Sequence, residues 1–218
     1  MTPKSFLLSE ELHRYLLEHC EPVDEVQRAL IEATEALGGI ARMQVSPEQG
    51  ALLTLLTRLV GTSRAVEVGT FTGYSALCIA RGLAPGGSML CCDVSEDWTA
   101  IAREHWQRAG VADRIELRIA PAIDTLRSLP AEPAIDLAFI DADKTGYIAY
   151  VDELVPRLRP NGVLLIDNVL WGGAVIDPKV NDPDTVAIRA CNDHVAAHPD
   201  LESVILPVAD GLTLARKR

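Results

Sequence analysis

Apolar residues recur three and four positions apart through the first part of the chain, as at Leu52, Leu55, Leu56 and Leu59, and this period predicts helices over 9–19, 22–38 and 47–60. From Arg64 the pattern changes to short apolar runs at 64–68, 88–93, 114–119, 135–140 and 162–167, separated by stretches of helical period at 73–83, 96–109, 121–128 and 146–157. Such alternation reads as successive βαβ units whose parallel sheet is covered on both faces. Pro85-Gly86-Gly87, Gly110, Pro130 and Pro160-Asn161-Gly162 supply the breaks. A helix near 183–198 precedes two further runs, 202–207 and 211–216, separated by a short segment ending in Asp210-Gly211, a hairpin signal that makes the last strand antiparallel. The expected fold is α/β: a doubly wound, mostly parallel seven-stranded sheet with an antiparallel last strand and extra N-terminal helices. No linker, internal repeat or low-complexity tract divides the chain, so one domain is expected, with 1–60 as a helical cap and 61–218 as the core.

Composition narrows the class. The chain has 218 residues, 48% of them hydrophobic, enough to fill one large core. Its 20 Lys and Arg against 31 Asp and Glu give a formal charge of −11, which leaves no broad basic surface for a nucleic-acid partner. The opening MTPKSFLLSE lacks the apolar stretch of a signal peptide, and no run approaches the ~18 apolar residues of a membrane span, so a cytoplasmic protein without a membrane partner is expected. Cys20, Cys78, Cys91, Cys92 and Cys191 form an odd set without a C-x-x-C pair and read as reduced, mostly buried thiols. His194 and His198 are spaced to share a helix face, but no glutamate follows the first, which disfavours zinc; His13, His19 and His105 are expected at the surface.

In a doubly wound sheet, ligands bind beyond the carboxyl ends of the strands, where the winding reverses. The first strand runs into Glu67-Val68-Gly69-Thr70-Phe71-Thr72-Gly73-Tyr74-Ser75, whose glycines allow a tight turn and a close approach to a nucleoside before a helix begins. The second ends in Asp93, where Rossmann-like folds place an acid that accepts hydrogen bonds from both ribose hydroxyls. The glycine spacing is G-x-x-x-G, not the G-x-G-x-x-G of dinucleotide sites, and Glu67 suits a cationic aminoacyl group better than a pyrophosphate. S-Adenosylmethionine is therefore favoured over a nicotinamide cofactor.

The fourth run leads into Asp141-Ala142-Asp143-Lys144 and the fifth into Asp167-Asn168, and both ends should meet at one crevice. Asp141, Asp167 and Asn168 present hard oxygen ligands for Mg²⁺ or another divalent cation such as Mn²⁺ or Ca²⁺, with positions left open for a vicinal diol. Coordination acidifies a phenolic hydroxyl, and Lys144 is the amine placed to take its proton.

Glu67-Val-Gly-Thr-Phe-Thr-Gly-Tyr-Ser-Ala76, Phe139-Ile-Asp-Ala-Asp-Lys144 and Ile166-Asp-Asn-Val-Leu-Trp-Gly-Gly173 together resemble the cation-dependent O-methyltransferases that include the catechol and caffeoyl-coenzyme A enzymes. Leu206-Pro-Val-Ala-Asp-Gly-Leu212 resembles the bacterial members, and the similarity covers roughly residues 40–218. The resemblance implies metal-dependent methyl transfer from S-adenosylmethionine to a hydroxyl of a catechol-like small molecule. It implies Asp141, Asp167 and Asn168 as metal ligands, Lys144 as general base, and Glu67, Gly69, Thr70, Tyr74, Ser75, Asp93 and Asp141 around the cofactor. It also implies that Met43, Gln44 and Val45 line the methionine and acceptor side, and that Trp171 walls the acceptor ring. Ala120 stands beside the adenine where the family commonly carries glycine. The N-terminal helices are expected to cover the acceptor site and to form a homodimer interface. Thr145-Gly146 departs from the plant members, so the acceptor is not read from those enzymes. The alternatives are a module that binds S-adenosylmethionine without turnover and a nicotinamide-dependent oxidoreductase.

Overall fold

The computed structural model describes residues 8–218; the first seven residues of the expected helical cap lie outside the described residues. Three helices come first: α1 (Glu10–Glu18), α2 (Glu25–Glu35) and α3 (Pro47–Val60). Asp24 and Gln27 each accept from the other's backbone N–H and so start α2 three residues later than the apolar period suggests. The helix expected to run to residue 38 stops at Glu35, and Gly38–Met43 winds separately as a 3₁₀ turn entered through Gly38, whose φ of 75° no right-handed helix continues.

The alternating core follows as β1 (Arg64–Val68), α4 (Tyr74–Gly82), β2 (Ser88–Asp93), α5 (Glu96–Arg108), β3 (Ile115–Ile119), α6 (Ala122–Ser128), β4 (Ile135–Ile140), α7 (Tyr147–Leu154) and β5 (Leu158–Ile166). α8 (Pro183–Ala197) then leads to the hairpin of β6 (Leu201–Leu206) and β7 (Leu212–Lys217). The seven strands lie in the order β3-β2-β1-β4-β5-β7-β6, with β7 antiparallel to both its neighbours and every other pairing parallel. β5 starts earlier than its apolar run. Leu158 pairs with Ile135 and the register then skips to Val163 opposite Leu137, so Pro160-Asn161-Gly162 is an irregularity inside the strand and not the break before it.

Successive strand residues serve opposite faces, which is why the runs are apolar throughout. Val66, Leu90 and Cys92 pack with Leu126 of α6, Val151 of α7 and Val195 of α8, whereas Ala65, Met89 and Cys91 pack with Leu30 of α2, Leu53 of α3, Leu77 of α4 and Trp106 of α5. All five cysteines are free, four of them buried. His105 corrects the expectation of a surface histidine. It is 4% exposed, and its ring folds back along α5 with Nδ1 2.8 Å from the Ile101 carbonyl. Among the described residues no helix is long and apolar enough to cross a membrane.

Candidate active site

The sheet winds outward in both directions from the β1–β4 pair, and hydrogen bonds carry its ladder one residue past the strand ends. The amide of Gly69 donates to the Cys92 carbonyl at 2.9 Å, that of Asp141 to Val68 at 2.8 Å, and that of Asp167 to Ile140 at 3.0 Å. The first residues after β1, β4 and β5 are thereby held side by side at the floor of a cavity of about 1180 Å³, open between the glycine loop and the N-terminal segment carrying Met43, Gln44 and Val45. This is the crevice position that doubly wound sheets use for ligands.

Gly69 is required where it stands. Its φ is 87°, and a Cβ there would lie 1.9 Å from the Asp141 carbonyl oxygen, so only glycine lets the loop lie flat on the end of β4. Gly69→Ala is expected to cost on the order of 2–3 kcal/mol from backbone strain and displacement of β4, visible as a lowered midpoint in thermal unfolding. Asp93 clamps the same loop: its Oδ2 accepts from the amides of Thr70 at 2.9 Å and Phe71 at 2.8 Å, and its Oδ1 from Ser95 at 2.8 Å. A carboxylate has about four acceptor sites and three are taken, so about one remains, on Oδ1, for a ribose hydroxyl. Phe71 and Trp98, in edge contact at 5.2 Å between ring centres, stand beside it on the cavity wall and were not singled out by any sequence signal.

Glu67 lies fully buried beneath this loop, and neither carboxylate oxygen has a hydrogen-bond partner. Burial lifts its carboxyl from about 4.5 to about 8; the neighbouring Ser75 and Thr70 hydroxyls and the Cys91 thiol pull the other way without meeting hydrogen-bond geometry. Thr70 Oγ1, Ser46 Oγ and Gln44 Oε1 are likewise buried without partners around the same cavity. Unpaired polar atoms gathered at one place fit a polar ligand. The folded state holds the Glu67 proton more tightly than the unfolded chain, so the ligand-free protein is most stable below about pH 4.5 as far as this group is concerned and loses stability as the pH rises to about 8. Glu67→Gln is expected to flatten that part of the pH profile and to raise the unfolding midpoint at pH 8, measured by calorimetry across the range.

At the other end of the floor, β4 and β5 set Ile140 opposite Ile166, which brings the next residues, Asp141 and Asp167, to neighbouring positions. Asn168 follows with φ 59°, a left-handed conformation that asparagine tolerates. Lys144 is 9% exposed, and its Nζ donates to Asp141 Oδ1 at 3.1 Å, Asn168 Oδ1 at 2.6 Å and the Tyr147 hydroxyl at 2.7 Å. Tyr147 in turn donates to the Asp167 carbonyl at 3.2 Å, and Gln49 Nε2 donates to Asp167 Oδ2 at 2.7 Å. The period of three between Lys144 and Tyr147 was open to a sequence reading, whereas Gln49 comes from another helix 118 residues away and left no such signal. Burial and the charge of Asp141 push the Asp167 carboxyl up to about 7, and burial raises Asp141 as well against the pull of Lys144. Among the described residues no group of three or more His, Cys, Asp and Glu side chains is arranged to hold a metal, so a cation here depends on the amide of Asn168 as well as the two acids. The donor set fits one. Three hard oxygens with a single ammonium for two carboxylates, Asp167 buried and Asp141 partly so, leave a negative charge that a divalent cation neutralises.

The remaining expected residues border the same cavity. Met43 is 43% exposed at its mouth, with Gln44 and Val45 behind it. Trp171, whose φ of 50° begins a turn through Gly172 and Gly173, stands with its ring centre 5.7 Å from Lys144 Nζ. Ala120 lines the wall next to Asp93, whose carbonyl accepts its amide at 2.9 Å. Tyr74 reaches the cavity at the start of α4, but its hydroxyl is turned away to Gln27 of α2, 3.4 Å off. His194 pairs with Asp152 of α7 at 2.7 Å and does not line the cavity.

A family model described as O-methyltransferase matches residues 18–218. A catechol O-methyltransferase of Mycobacterium tuberculosis is 36% identical over 200 residues, spanning 89% of this chain and 90% of that protein. Caffeoyl-CoA O-methyltransferase 2 of Zea mays is 34% identical over 229 residues, spanning 98% and 85%. An O-methyltransferase from Bacillus cereus, solved in complex with SAH, superposes with a TM-score of 0.87 at 33% identity, covering 95% of this chain and 97% of that one. The chain belongs to the O-methyltransferase family and is an S-adenosylmethionine-dependent enzyme of that class. That sets aside the nicotinamide-dependent alternative.

Proposed function

We propose that the enzyme methylates one hydroxyl of a catechol-like vicinal diol with the help of a divalent cation, Mg²⁺ first among them. The observation that carries this reading is the meeting of two carboxylates, the buried Asp167 and the partly buried Asp141, with the Asn168 carboxamide and the Lys144 ammonium on the floor of the cavity that the glycine loop borders. When bound, S-adenosylmethionine supplies an electrophilic methyl group, and the cation acidifies the acceptor hydroxyl and fixes its position. Glu67 and the Gly69–Ser75 loop hold the aminoacyl end of the donor, Asp93 the ribose, and the Ala120 segment the adenine. Asp141, Asp167 and Asn168 would hold the cation; Lys144, after releasing one ammonium proton to solvent as the cation takes over its oxygen partners, would accept the hydroxyl proton at Nζ as the neutral amine; and Trp171 and Met43 would flank the acceptor ring. Held in this way, the acceptor oxygen would take the methyl group as S-adenosylhomocysteine leaves, and positioning by these residues would contribute most of the rate.

Labelled S-adenosylmethionine offered with catechol, its mono-O-methyl ether and a 1,3-diol tests the acceptor class. Methylation of catechol alone is expected, since only adjacent hydroxyls give two-point binding; equal rates on all three would remove the vicinal-diol reading. Leu55 and Leu59, 53% and 74% exposed one turn apart on α3, support a homodimer, for which sedimentation velocity is expected to give twice the chain mass.

A further inference from the structure

The N-terminal helical layer carries no catalytic motif, yet one of its side chains reaches the oxygen cluster. Gln49, in the first turn of α3, is 1% exposed and donates through Nε2 to Asp167 Oδ2 at 2.7 Å. Its helix is seated firmly: a Cβ on the adjacent Gly50 would lie 2.7 Å from the Tyr74 ring and 2.9 Å from Cys78 Sγ, so α3 lies hard against α4. The three candidate ligands are divided between two side-chain donors, with the backbone N–H of Asn168 as a third. Lys144 serves Asp141 and Asn168, at 3.1 and 2.6 Å, while the oxygens of Asp167 are held by Gln49 and by the Asn168 amide, each at 2.7 Å. The difference in charge matters. An ammonium competes with a cation for the oxygens it touches, whereas a neutral carboxamide fixes the orientation of a carboxylate and leaves its charge available.

Resting on the metal site proposed above, we infer that Gln49 is a positioning residue that orients Asp167 for a divalent cation and ties metal affinity to the seating of α3. Two substitutions in the full chain separate this from a packing role. Gln49→Met keeps most of the volume and removes the donor; Gln49→Asn keeps the carboxamide and shortens its reach by one methylene. Free Mn²⁺ is followed by electron paramagnetic resonance, S-adenosylhomocysteine binding by calorimetry without metal, and stability by thermal unfolding. In both variants Mn²⁺ affinity is expected to fall by ~10–100-fold while S-adenosylhomocysteine affinity holds, and excess Mn²⁺ should recover turnover. Wild-type Mn²⁺ affinity in either folded variant overturns the assignment. So does a parallel loss of Mn²⁺ binding, S-adenosylhomocysteine binding and stability, which marks packing alone. A wild-type enzyme that binds no Mn²⁺ at millimolar concentration fails at the earlier step, removing the metal reading and with it the role of Gln49.

Discussion

Asp141→Ala is expected to lower methyl transfer by at least ~10³-fold at saturating donor and acceptor, because the variant loses one of the two charged oxygen ligands and with it a Lewis-acid contribution of several kcal/mol, each ~1.4 kcal/mol being tenfold in rate. The fold should persist. Asp141 follows β4 and joins the sheet only through its backbone amide, which alanine keeps, and in the metal-free protein its partly buried carboxylate faces Asp167, whose own carboxyl is held near 7 partly by that charge. Removing it relieves the repulsion and leaves Lys144 bonded to Asn168 and Tyr147, so metal-free thermal stability should be kept or raised. Steady-state rates across a Mg²⁺ series, together with unfolding curves in EDTA, check both halves. A variant that reaches the wild-type rate at saturating Mg²⁺ would show that Asp141 is not a ligand.

Lys144→Ala is expected to reduce the rate by ~10²–10⁴-fold at neutral pH with little change in donor affinity. As the structure stands, the three N–H bonds of the ammonium are all committed, to Asp141, Tyr147 and Asn168. Acting as a base therefore requires that at least one of these partners be taken over and that the ammonium first give up a proton to solvent, and two of the three partners are the oxygens assigned to the cation. The same residue is held in reserve by the ligands until they are otherwise engaged. If it takes the proton, raising the pH or using a more acidic diol should restore part of the lost rate in the variant, as solvent hydroxide replaces the amine. If it only balances charge, removing it should change metal affinity and acceptor KM and leave the pH dependence of kcat unshifted. Measuring kcat against pH for both proteins, with two diols of different acidity, decides between these.

The parts of this arrangement that were legible in the sequence are those set by burial on both faces of a sheet. β1, β2 and β4 fall where the apolar runs placed them, and the oxygen-bearing residues come straight after β4 and β5, so their meeting follows from strand order. The start of β5 was hidden because Pro160-Asn161-Gly162 has the composition of a break, although the strand carries it as an irregularity between the Leu158–Ile135 and Val163–Leu137 pairs. His105 was misplaced because a polar ring can satisfy itself on its own helix, at the Ile101 carbonyl, and so be buried. Gln49 was out of reach for a different reason. Its importance comes from one hydrogen bond across 118 residues, and a glutamine in a helix has no spacing that announces such a contact. Asp93 shows the reverse case: it stands at the cavity as its position implied, and the structure adds that it already holds the glycine loop through two amides.

The most direct test of a cation-assisted enzyme is turnover of catechol by the wild-type protein after exhaustive treatment with EDTA, followed by return of Mg²⁺. Transfer of the labelled methyl group should fall to background on chelation and recover when Mg²⁺ is added back, with S-adenosylhomocysteine binding intact throughout. Undiminished transfer in EDTA would contradict the assignment of Asp141, Asp167 and Asn168 and leave the chemistry to Lys144 alone.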